Sequence, residues 1–152
     1  MTTNPLPILE SLMQLPVSAI LLYAIAAAAF LIYAPFMVVG FARAKVGYDT
    51  SAPRAMFDKL PPYAQRATWA HQNSFETFMV FAAAALMAYV TGQNSITAAV
   101  AAIAFVVARL FFSIFYILNV PMLRSLMFGI GTLSTGTLFV LSLLSVTAVG
   151  TR

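Results

Sequence analysis

Apolar residues fall in four long runs, at 15–41, 66–90, 96–118 and 123–149, separated by shorter polar stretches. Each reaches the ~20 residues that a helix needs to cross a hydrocarbon core of about 30 Å. A membrane β-barrel would show shorter segments of strict alternation broken by turns, and none occur. The pattern predicts an all-α chain, a single domain over 1–152 built as a four-helix bundle within a membrane. The runs AIAAAAF and FAAAALMA, and Gly129, Gly131, Ser134 and Gly136, supply small residues that let helix backbones approach closely in lipid.

The connections are unequal. The first, ARAKVGYDTSAPRAMFDKLPPYAQ, is the longest polar stretch, and its Pro61-Pro62 is expected to introduce the second helix. The others, TGQNS and LNVP, are tight, so consecutive spans run antiparallel. The first residues, MTTNPLPILESLMQLP, contain no basic stretch of the kind that opens a signal peptide, which favours a retained span.

Composition sharpens this picture. Hydrophobic residues make up 62% of the 152 and charged residues 8%, against about a quarter charged in a soluble domain. The net charge of +4 is distributed unevenly. Arg43, Lys45, Arg54, Lys59 and Arg66 lie between the first and second spans, and Arg124 between the third and fourth. By the positive-inside rule, loops 1 and 3 are expected on the cytoplasmic side and both termini on the other; in a bacterium this would be the inner membrane. Nucleic acid is not an expected partner, because these basic residues are not gathered on a solvated domain. The chain has no cysteine and one histidine, which removes thiolate and multi-histidine metal sites and any cysteine nucleophile.

Polar residues inside the spans then stand out. RATWAHQNSFETF leads into the second run. On a helix, Arg66 and Asn73 fall within ~20° of each other and Glu76 is rotated another ~60°, whereas His71 points ~140° away from Arg66. Arg66, Asn73 and Glu76 therefore form one stripe, with Gln72 within i, i+4 reach of Glu76, and His71 suits a helix-packing hydrogen bond. Arg109 sits in mid-span in VVARLFFSIFYIL, at a depth similar to that of Glu76. A lone ion there costs several kcal/mol, so a Glu76–Arg109 pair is expected. With Tyr116 one face-repeat after Arg109, and Arg124 opening the fourth span, the residues outline a polar cleft. A plain structural role, fixing helix register, is the competing account of the pair. The extra arginines, amide and phenol favour an anionic polar ligand held by guanidinium contacts.

The pattern R-A-x-x-A-H-x-N-x-x-E, here Arg66, Ala67, Ala70, His71, Asn73 and Glu76, resembles that of the MAPEG family, the membrane-associated proteins in eicosanoid and glutathione metabolism. Arg109 and Tyr116, followed by PMLRS ending in Arg124-Ser125, fit the family's second signature, and the resemblance spans nearly the whole chain. It implies a homotrimer of four-helix bundles that binds glutathione at subunit interfaces and acts as a transferase or peroxidase on lipophilic electrophiles or hydroperoxides arriving from the lipid. Arg124 would stabilise the glutathione thiolate, with Ser125 beside it as a hydrogen-bond donor. Asn73, Glu76 and Tyr116 would contact the tripeptide, Gln72 and Arg43 occupy positions that hold glutathione- or carboxylate-binding arginines in an eicosanoid-synthase member, and Arg66 belongs to the same cofactor-binding set. Arg109 would be chiefly structural.

Departures from that pattern are specific. Gln65-Arg66 and Trp69 stand where vertebrate members have Glu-Arg and a second arginine, and Phe112 where one synthase has a histidine; the pattern looks closer to the prokaryotic branch. They keep open an alternative of a different class, a non-catalytic member of the same fold that binds a lipid or ligand.

Overall fold

The computed structural model describes residues 15–149, and the opening segment read for a signal peptide lies outside the described residues. Four helices account for most of the chain: α1 (Val17–Val46), α2 (Pro62–Val90), α3 (Ile96–Ile117) and α4 (Pro121–Val149). A short 3-10 helix, Pro53–Lys59, interrupts the long connection between α1 and α2. All four long helices have the length and apolar composition of membrane spans, and no strand occurs among the described residues. The expected spans correspond to these helices, with α1 extending past 41 to Val46 and α2 beginning at Pro62, four residues before the expected 66.

Local chemistry explains the ends. Pro62 sits in the first turn of α2, where its missing N–H would have had no partner. Ser95 caps α3, its Oγ accepting from Ala98 N. The α3–α4 turn closes through Val120 N to Phe115 O (2.9 Å) and Asn119 N to Tyr116 O (3.2 Å), with Asn119 at φ 60°. This is the paired-bond helix ending that places one residue in the left-handed region, which asparagine tolerates. The α2–α3 turn repeats the arrangement with Gly92 at φ 68°. At that end Gln93 Nε2 donates to Leu141 O (2.9 Å) and to the Ser145 hydroxyl, tying the turn to α4.

Packing follows the small residues. The buried positions of α2 include Ala64, Ala67, Ala70, Ser74, Ala84, Ala85 and Ala88, at helical spacing. Those of α3 include Ala98, Ala101, Ala102, Phe105 and Ala108. Without a hydrophobic force between helices in lipid, such close backbone approach is what holds a bundle together. Phe81 of α2 and Phe105 of α3 stack face to face within it, with ring centroids 3.7 Å apart. Both rings are buried, in one cluster with Leu21 and Leu138. Helix α1 packs on α2 and α3, and α4 packs on α3 and α2, so α1 and α4 occupy opposite corners.

Five hydroxyls of α4 find their acceptors within their own helix. Thr132, Ser134, Thr135, Thr137 and Ser142 each donate to the carbonyl four residues earlier, at 2.7–3.0 Å. That satisfies them in a medium that offers no water.

Candidate functional site

Helix α2 positions four of the candidate residues, Arg66, Gln72, Asn73 and Glu76, because its polar positions turn away from the alanine face. Arg109 approaches it from α3. Its Nη2 donates to Asn73 Oδ1 at 3.0 Å and to Ser74 Oγ at 3.2 Å. The guanidinium carbon lies 4.0 Å from the centroid of the Phe112 ring, one turn along α3. Arg109 is only 4% exposed, and its Nε is buried without a partner.

The expected Glu76–Arg109 ion pair is therefore corrected. Among the described residues no carboxylate closes a salt bridge with Arg109, and neutral oxygens of Asn73 and Ser74 take its hydrogen bonds instead. The reason is geometric. Glu76 lies three residues beyond Asn73, about 4.5 Å further along the helix and rotated outward, and its side chain is exposed. Ser74, buried on the alanine face, is the closer acceptor for a guanidinium between α2 and α3.

Three cavities meet along α2. The largest, about 1020 Å³, lies between α1, α2 and the connection between them, and is bordered by Arg43, Arg54, Trp69, Gln72 and Glu76. A second, about 480 Å³, is bordered by Asn73, Glu76 and Arg109 together with Thr132 and Thr135 of α4. A third, about 450 Å³, is bordered by Trp69, Gln72, Asn73, Glu76 and Tyr116. Glu76 borders all three. With its oxygen held by Arg109, the amide N–H₂ of Asn73 is the end free to meet a ligand.

The remaining candidates divide. Arg43 borders the largest cavity, its guanidinium 5.8 Å from the Phe36 ring and its Nε buried without a partner. Arg124 stacks over Tyr116 at 4.7 Å, which links it to the third cavity through that ring. Arg66, Arg124 and Ser125 themselves border none of the three. Arg66 Nε donates to Ile117 O at 3.0 Å and so closes the last turn of α3. His71 faces α1, where its Nδ1 lies 2.7 Å from Ile32 O. A carbonyl only accepts, so the proton is on Nδ1. The backbone donor that Pro35 removes from α1 would have met Leu31 O, one residue before Ile32.

Sequence reasoning missed Ser74 and Arg54. Ser74 sits beside Asn73 and is adjacent to the stripe, but its role depends on which side Arg109 approaches. Arg54 carries no periodic signal, because it lies outside the four long helices.

The family's sequence profile matches residues 20–144, a range that contains every one of these motifs. The chain belongs to the MAPEG family. Members are generally glutathione-related transferases or peroxidases, or related membrane proteins, and are typically oligomeric. The chain is accordingly an integral, multi-pass membrane protein. No curated protein and no solved structure matches it closely.

Proposed function

We propose that this MAPEG protein is a glutathione-dependent transferase or peroxidase acting on lipophilic electrophiles or hydroperoxides, assembled as a homotrimer with loops 1 and 3 on the cytoplasmic side. The observation that carries this reading is the distribution of polar groups around α2. Arg43, Gln72 and Glu76 border a cavity on one side of it, and Asn73, Glu76 and Tyr116 one on another, with Arg124 stacked on Tyr116. In a closed ring of identical chains, the two faces of neighbouring subunits would meet and complete a site that one chain holds in halves.

The donor set fits glutathione. Its two carboxylates call for guanidinium and amide donors, and its ammonium for a carboxylate. Glutathione supplies the thiol that a chain without cysteine lacks. The guanidinium of Arg124, placed beside sulfur, favours the thiolate over the thiol and raises the fraction of nucleophile. Tyr116 holds that guanidinium by its ring face. Asn73 offers its N–H₂ to a carboxylate and Glu76 accepts from the ammonium, whereas Arg66, which borders none of the three cavities, is spent on Ile117 O. The apolar spans let the second substrate arrive through lipid.

A second reading, a non-catalytic lipid- or ligand-binding protein of the same fold, is favoured by Ser125, which is exposed and borders none of the three cavities. The test is glutathione conjugation of a chlorodinitrobenzene-type electrophile by the purified protein beside Arg124→Ala. Equal rates would remove the thiolate assignment, and absence of glutathione binding by calorimetry would favour the second reading.

A further inference from the structure

The connection between α1 and α2 is a built wall of the largest cavity. Met56 is buried, and its sulfur accepts from Asp49 N at 3.3 Å. Asp49 Oδ1 accepts from Ser51 N at 2.9 Å, closing the turn that leads into the 3-10 helix. Gln65 Nε2 donates to Leu60 O at 3.0 Å and to Phe57 O at 3.4 Å, pinning the helix's far end to α2. The Phe57 ring packs on Trp69, with centroids 5.6 Å apart.

Arg54 stands on this wall and borders the same cavity as Arg43. The residues of α2 that border it include Trp69 and Gln72, neither of them cationic. With the His71 imidazole, which also borders the cavity, counted as neutral, two guanidinium groups and one carboxylate, that of Glu76, leave it one net positive charge. Glutathione, with two carboxylates and one ammonium, carries one net negative charge.

We propose that Arg54, delivered by the connection and not by one of the four long helices, binds a carboxylate of glutathione in the α1–α2 cavity alongside Arg43. This assignment rests on the glutathione-dependent function proposed for the chain. A guanidinium on a pinned segment gives a bidentate carboxylate contact without ordering a free loop.

The experiment is calorimetry on the full-length purified protein with glutathione and with its diethyl ester, in which both carboxylates are masked. Arg54→Ala, Arg54→Lys and Lys59→Ala are compared with the parent. Lys59, exposed on the same 3-10 helix, does not border the cavity and controls for net charge. Arg54→Ala is expected to weaken glutathione binding about tenfold or more, Arg54→Lys less, and Lys59→Ala hardly at all. The ester, bound weakly by the parent, should bind Arg54→Ala equally. Equal glutathione affinity in Arg54→Ala and the parent would overturn the inference while leaving the function standing. So would an equal loss in Lys59→Ala, or an equal loss towards the ester. A parent that binds no glutathione would overturn both.

Discussion

Arg109 of α3 and Asn73 of α2 are joined by a 3.0 Å hydrogen bond in which a guanidinium fixes the orientation of an amide. The bond crosses between two helices, and its guanidinium is buried. Asn73→Ala is expected to destabilise the protein by about 1–3 kcal/mol, because it removes an acceptor from a buried charge. Glu76→Gln, at an exposed position, is expected to cost much less. Thermal unfolding in detergent compares the two. A larger loss in Glu76→Gln would restore the ion pair as the main contact.

Arg66 closes α3 by donating to Ile117 O. Its replacement by alanine leaves that carbonyl without this donor and should lower stability by about 1 kcal/mol. An unchanged melting temperature for Arg66→Ala would show that the contact contributes nothing.

Arg124→Ala should lower the conjugation rate by roughly a hundredfold, in the range typical of removing one preorganised donor from a developing anion. The deficit should shrink at high pH, where the thiol ionises without help. A deficit constant across pH would mean that the guanidinium acts on something other than the sulfur.

Tyr116 has two separable parts. Tyr116→Phe keeps the ring under Arg124 and should raise KM for glutathione with little change in kcat, whereas Tyr116→Leu removes the ring and should lower kcat. Identical behaviour of the two variants would argue against the stacking role.

The four helices are legible in the sequence because runs above the spanning length leave few alternatives in so apolar a chain. Helical spacing likewise fixes the angles between Arg66, Asn73 and Glu76 on α2, though not what each side chain meets. What the spacing leaves open is the partner of Arg109. Depth along the span brings it near Glu76, but nearly one turn separates Glu76 from Asn73, and a rule that pairs opposite charges chooses the wrong one. The wall that carries Arg54 is not legible either. It is held by the Gln65 amide, the buried Met56 and the Phe57–Trp69 contact, none of which leaves a periodic mark in the sequence.

Glu76 borders three cavities at once. A cation bound to that carboxylate in one cavity offsets the negative charge felt in the other two. Cationic groups in separate cavities would therefore compete through one side chain even where the ligands never touch.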